Sequence, residues 1–394
     1  MVDEQELTFI FMRTVPKMVY GRDAIASLWE ELETLNKCRA MIVCGPNILR
    51  KSNVITRVQE ALREKYIGLF SEVQPHAPVE IVTQGAEVAK GLEPDVLISV
   101  GGGSTHDTCK GIVTVLGEGK DIRDCMVKFE PPDKFIEPSL PNPKMPIVAV
   151  PTTFGCSEFS GVGGFSDKKL KRKLKKGNDK KTVPKVIVFD GLALATTPVS
   201  IHLPNGMSQL RVCIEKVYSK QHNPISDALA IHGIKLLMEL LPHCDGGDVD
   251  VLLRTKIAGS LPYFGPRAGN GLSTAMGQEI GAIHNVAHGI AMAIMLPYTM
   301  RFNLDASAER QALIAQALGI DTSGLSDMEA GLAAAGVIAA LSRQFGLPAR
   351  LRDIGMQPEE LELVAQATMH HGTMLSNPKA ADQAQVLELL RTAW

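Results

Sequence analysis

The feature that most constrains this chain is a repeated handover from a short apolar run to a turn marked by glycine or proline. Residues 95–100 (DVLISV) pass directly into Gly101-Gly102-Gly103-Ser104. Residues 38–44 (CRAMIVC) end at Gly45-Pro46-Asn47, and residues 146–150 (PIVAV) end at Pro151-Thr152-Thr153. Residues 185–189 (KVIVF) form a fourth run of this kind. A strand that is apolar on both alternating faces must be covered on both sides, which is the condition of a parallel sheet between helices. Amphipathic stretches separate the runs, one of them through Val54, Val58 and Leu62. The first half therefore reads as an α/β unit with a parallel, Rossmann-like sheet.

The character changes near Pro198. From there the strand signal disappears and helical periodicity takes over around residues 229–241, 249–261, 290–302, 328–345 and 386–394. The expected organisation is an α/β domain over 1–196 and an all-helical substrate domain over 197–394, with a ligand in the cleft between them. The basic run 168–181 reads as a solvated hairpin or loop, and residues 127–145 as an exposed connector.

Charge and composition exclude several functions. A formal net charge of −2 gives no global field for nucleic acid. No apolar run approaches the roughly 18 residues of a membrane span, and the early acids at the N-terminus do not read as a signal peptide. Seven dispersed cysteines without a CxxC pair fit reduced thiols in the cytoplasm rather than a disulfide framework. The expected partner is a small-molecule substrate.

Glycines at the end of a buried strand let the backbone approach a pyrophosphate, and the helix that follows offers free N–H groups and a positive dipole end. Ser104 is placed to cap that helix and to donate to phosphate. The segment GGGSTHDTCK (101–110) followed by PTTFGCSE (151–158) resembles the iron-containing alcohol dehydrogenase family, which includes maleylacetate reductases. VYGRDAIASL (19–28), KVIVFD (185–190), HGIAMAIMLPYTMRFN (288–303) and SNPK (376–379) extend the resemblance over nearly the whole chain. It implies a dinucleotide domain followed by an all-α domain, the dehydroquinate synthase-like architecture, and a homodimer. It also implies that Gly101, Gly102, Gly103 and Ser104 hold the pyrophosphate, and that Asp107, Thr152, Thr153, Phe154 and Ser157 line the adenosine and nicotinamide side. Gly45 and Asn47 belong to the same cofactor edge. NAD-preferring members carry an acid where Gly45 stands, and a carboxylate there repels a 2′-phosphate. With Arg50 and Lys51 nearby, NADPH is the expected cofactor, with NADH the alternative.

The resemblance also locates a metal site. The family's metal is held by an Asp and a His one helical turn apart, and by two further His residues on later helices. Here Ser208 falls at the Asp position, Val212 at the first His and Thr274 at the second; His288 alone is retained, and Gln278 replaces another family histidine between them. No catalytic metal is expected, although His284, Glu279, Glu215, His370 and His371 are residues from which a site could be rebuilt. Without a Lewis acid, an activated acceptor (conjugated C=C, carbonyl or imine) and a proton donor become the reasonable chemistry. His288 and His284 are the candidate catalytic residues, and His106, Cys156, Ser208 and Gln278 the candidate substrate contacts. The expected function is an NADPH-dependent, metal-independent reductase. A metal-dependent alcohol dehydrogenase and an inactive nucleotide-binding paralogue are the alternatives, with a sugar-phosphate lyase or synthase ranking below them.

Overall fold

The structure is a computed structural model that describes residues 16–130, 134–167, 172–284 and 286–394. The N-terminal stretch judged for a signal peptide, and residues 131–133 and 168–171 of the connector and the basic run, lie outside the described residues.

The strands are β1 (Lys17–Gly21), β2 (Ala40–Cys44), β3 (Tyr66–Phe70), β4 (Val96–Gly101), β5 (Lys128–Glu130), β6 (Lys134–Ile136), β7 (Ile147–Pro151), β8 (Gly163–Asp167), β9 (Arg172–Lys176) and β10 (Val186–Asp190). Six of them form one parallel sheet in the order β1-β10-β7-β4-β2-β3. Successive residues point to opposite faces: Ile42, Ile98, Val148 and Val188 pack on one side, Met41, Val43, Leu97 and Ile147 on the other. Each of these aliphatic side chains is worth about 1.5–3 kcal/mol when withdrawn from water, which commits the sheet to a cover on both faces. That cover comes from α1 (Leu28–Thr34), α2 (Pro46–Lys51), α3 (Val54–Leu62), α4 (Val79–Leu92) and α5 (Gly103–Glu118). The edge strands β1 and β3 are not among the apolar runs read from the sequence, because both are only partly buried and lack a continuous apolar stretch.

After the short helix α6 (Gly191–Ala195) the described chain is helical: α7 (Val199–Tyr218), α8 (Pro224–Leu240), α9 (Val249–Ser260), α10 (Leu272–Ile283), α11 (His288–Asn303), α12 (Ala308–Ala317), α13 (Asp327–Gln344), α14 (Glu360–Thr368) and α15 (Gln383–Ala393). One core runs across the junction, from Ala149, Phe154, Ile187 and Phe189 to Met207, Leu210 and Leu237. Among the described residues, no helix is long and apolar enough to cross a membrane.

Two stretches differ from the sequence reading. The connector 127–145 contains the antiparallel pair β5–β6. The basic run supplies β9, which pairs with β8 in a hairpin as one of its two readings required, yet it is not wholly solvated. Lys176 is buried, its Nζ donating to the carbonyl of Gly161 at 2.8 Å and to Thr182 Oγ1 at 3.1 Å, and burial pulls its pKa down to about 8.

Candidate active site

β4 and β7 pair from Leu97–Ile147 to Gly101–Pro151, so their two exit turns leave the sheet side by side. Thr152 N–H donates to the Gly101 carbonyl at 3.0 Å and ties the turns together. Gly101 sits at φ +153°, and a Cβ there would overlap the Thr105 hydroxyl; only glycine fits. A Cβ on Gly102 would stand 3.2 Å from both Oγ1 and Cγ2 of Thr153, so Thr153 forms the floor of the turn. α5 starts at Gly103 with Gly102 as its cap and no side chain capping it. This corrects the placement of Ser104 as the cap: its hydroxyl accepts from the His76 N–H at 3.0 Å. Thr105 N–H donates to the Gly102 carbonyl at 2.9 Å, and the N–H groups of Gly103 and Ser104 lie at the carboxyl ends of the central strands, where parallel sheets receive nucleotides. Gly102, Gly103, Ser104, Thr153 and Gly155 are half-buried, lining rather than filling this place.

Asp107 and Ser157 hold the framework behind the turn. Asp107 Oδ1 accepts from the Ser157 hydroxyl and from Lys110 Nζ, and Oδ2 from the Gly164 N–H at 3.0 Å. The buried Lys110 also donates to the carbonyls of Ser157 (2.7 Å) and Val162 (2.9 Å). These bonds lock α5 to the chain leaving β7. Five side chains assigned to the cofactor or substrate pocket are buried, Thr152 at 1% and Ser208 at 3% exposed among them. Phe154 is 1% exposed and stacks on His202 with ring centroids 4.2 Å apart. Cys156 lies in the interdomain core, its thiol donating to the carbonyls of Phe154 and Gly259, and burial pushes it up to about 12. His106 is 2% exposed and shares a 2.7 Å hydrogen bond between its Nδ1 and Ser99. Burial, with Lys110 and Lys256 nearby, holds His106 well below the ordinary imidazole range, so it is a neutral structural group. It faces a buried ion pair, Lys256–Glu158 at 2.6 Å, that joins the two domains.

From the turns the site crosses to the helical side. A Cβ on Gly155 would lie 3.6 Å from Asn205 Oδ1 on α7, and Gly289 at the start of α11 abuts the carbonyl of Pro204. That close approach sets the half-buried His288 beside the same stretch of α7. Ser208, Arg211, Val212 and Glu215 follow at helical spacing and share one stripe of α7. Arg211 Nη1 donates to Glu215 Oε2 at 2.6 Å and to the Thr274 hydroxyl, which in turn donates to Glu215. Glu215 Oε1 accepts the Thr274 N–H at 3.1 Å. One turn along α10, Gln278 Oε1 is 2.7 Å from His371 Nε2, which also meets Lys175 from β9. His284 is not in this group. Its ring nitrogens bond Glu360 (3.0 Å) and the Ile354 carbonyl (2.9 Å), and the carboxylate raises its pKa. The proposed catalytic role of His284 is therefore corrected to a surface tie between α10 and α14. Among the described residues, no three His, Cys, Asp or Glu side chains converge as a metal-binding group.

The segments 288–303 and 376–379 meet through reciprocal amide bonds between Asn303 and Asn377, and Asn377 also accepts the Leu272 N–H at the start of α10 at 3.0 Å. Arg211 and Lys175 are the site residues that sequence reasoning missed. The signal for Arg211 was its place on the helical stripe of Ser208 and Val212; for Lys175 there was none, because its partner lies across the fold. Gly45 caps α2 in an extended conformation, with Asn47, Arg50 and Lys51 exposed on that helix.

Residues 16–191 match the family described as iron-containing alcohol dehydrogenase, and residues 203–394 match its C-terminal family. The chain is 29% identical over 384 residues to the NAD-dependent methanol dehydrogenase of Bacillus methanolicus, covering 96% of this chain and 98% of that one. It superposes on a 1,3-propanediol oxidoreductase with a TM-score of 0.89 at 29% identity, covering 98% and 100% of the two chains. Its fold is shared with the maleylacetate reductase of Rhizobium sp. strain MTP-10005, with a TM-score of 0.78 at 21% identity and 98% coverage of both.

Proposed function

Because the chain belongs to the iron-containing alcohol dehydrogenase family, and so is an NAD(P)-dependent oxidoreductase, we propose that it is a metal-independent, NADPH-dependent reductase of a small activated acceptor. One observation carries the reading: Thr274, at a family metal-ligand position, is bonded to the Arg211 guanidinium. Ser208 and Val212, at two other such positions, bring a hydroxyl and a hydrocarbon. The Thr274 hydroxyl already accepts from Arg211 and donates to Glu215. A divalent cation in this place would meet a fixed guanidinium, one imidazole and a Glu215 carboxylate already engaged by Arg211 and Thr274, and such a donor set does not fit the metal.

In this reading bound NADPH would supply the hydride for the electrophilic carbon of a C=C, C=O or C=N group, and His288 would supply the proton taken up as the electron pair of that bond is displaced onto the conjugated or adjacent heteroatom. The extended backbone at Gly45, without a carboxylate, supports NADPH, as do the cations Arg50 and Lys51. The absence of disulfides among the described cysteines fits a cytoplasmic enzyme.

Exhaustive EDTA treatment followed by elemental analysis and an NADPH-oxidation assay tests the reading. Activity should persist with iron and zinc far below stoichiometric, and His288→Ala should lower kcat by about 100-fold without changing metal content. One tightly bound metal per chain, with activity lost on chelation and restored by Fe²⁺ or Zn²⁺, overturns it.

A further inference from the structure

We propose that Arg211 is a specificity-determining residue that binds a carboxylate of the acceptor, so that the substrates are small oxo or unsaturated acids rather than neutral aldehydes. This rests on the reductase reading for the reaction, but not for the binding.

Arg211 is 3% exposed, yet both of its hydrogen bonds leave from one nitrogen, Nη1. Its Nε is buried without a hydrogen-bond partner, and among the described residues both bonds of the guanidinium leave Nη2 unused. A charged donor withdrawn from water and left unpaired is costly, so a folded protein retains one where a ligand completes it. The unused Nε–Nη2 edge is the one that matches the two oxygens of a carboxylate in parallel.

Glu215 does not fully answer this charge. One of its oxygens takes the Thr274 N–H in the first turn of α10, a helix whose cap Gly271 brings no side chain, and the other takes the Thr274 hydroxyl. The carboxylate is thus shared with the positive end of α10. Thr274 and Gln278 lie one turn apart on α10, and through Gln278 the same face reaches His371 and Lys175, a lysine contributed by the opposite domain. The helical side therefore holds a buried guanidinium with an unpaired edge and, through Gln278 and His371, a second basic group, Lys175. A neutral alcohol or aldehyde uses neither.

The test is calorimetric binding of succinate to the NADP⁺-loaded protein, with 1,3-propanediol as the neutral probe. Succinate should bind the wild type, more weakly as salt rises, and far better than the diol. Removing Arg211 alone strands Glu215, so the informative variant is the double change Arg211→Met/Glu215→Gln, which removes both charges together. It should bind succinate roughly thirtyfold more weakly, the scale of a charge-assisted pair, while NADPH affinity stays within about twofold. Arg211→Lys, which keeps the charge but not the fork, should weaken succinate about tenfold. Succinate binding that is absent in folded wild type, or equal in the double variant, overturns the proposal. Arg211-dependent succinate binding without NADPH oxidation by any oxo or unsaturated acid would sustain the carboxylate site and sink the reductase reading. Reduction of neutral aldehydes by a protein that ignores carboxylates would do the reverse.

Discussion

On the sheet side of the crevice, the turn at Gly101–Gly103 rests on Thr153 through backbone and missing Cβ atoms. On the helical side, Arg211, Glu215 and Thr274 meet through side chains on α7 and α10, and Gln278 of α10 bonds His371. The first surface offers main-chain N–H groups whose chemistry does not change with the residue, provided the backbone can adopt the turn. The second offers whatever its side chains carry, and replacing them leaves both helices in place, because the core holding α7 lies among Met207, Leu210, Ile214 and Val217. A fold can therefore keep its cofactor half while its reacting half changes, and the two halves should answer mutation differently.

The largest effect is expected where a charge is buried on the helical side. Arg211→Met alone leaves Glu215 uncompensated and should cost about 3–5 kcal/mol in chemical denaturation; adding Glu215→Gln should recover most of it. A loss below about 1 kcal/mol for the single variant would mean that water reaches the pair, and the contrast between the two halves would weaken. On the sheet side, Gly102→Val pushes a branched side chain against Thr153. NADPH affinity, read by fluorescence titration, should fall about 100-fold with the melting temperature little changed, and an unaltered affinity removes this turn from the site.

A smaller effect follows at Gly45. Its φ of −89° and ψ of 157° suit any L-residue, and a Cβ would sit 3.4 Å from the Val73 carbonyl, so Gly45→Asp is tolerated sterically. The kcat/KM ratio should move about tenfold from NADPH toward NADH; a wild type that already prefers NADH breaks the inference. The smallest effect belongs to His284. His284→Gln should leave kcat/KM within about threefold, since the ring is engaged with Glu360 and Ile354. Glu360 raises the folded pKa of His284 above 6.5, so the stability it contributes is complete below that value and is lost as pH rises through the raised one. At the acid end the same contribution fades as Glu360, whose folded pKa is lowered, takes up its proton. Thermal melts across pH should show this dependence in the wild type and not in the variant.

The apolar runs ending in Gly101 and Pro151 determined the parallel sheet and the place of its two exit turns by themselves, because period and burial are local properties of a strand. That Ser208, Val212 and Thr274 stand at metal-ligand positions is instead what the family resemblance implies, with GAIHNVAHG (281–289) fixing the register for Thr274 and His288. The edge strands β1 and β3 escaped the local logic, since their pairing comes from β10 and β2 rather than from their own residues. Only the tertiary structure decided which polar side chains face the crevice. It turned His106 and Cys156 into the core and His284 toward Glu360, and it brought Arg211 to Thr274 and Lys175 to His371. Those partners lie 63 and 196 positions apart along the chain. The first contact comes from α7 packing near α10 within the helical half and the second from β9 reaching that half, and no periodicity within either segment encodes them.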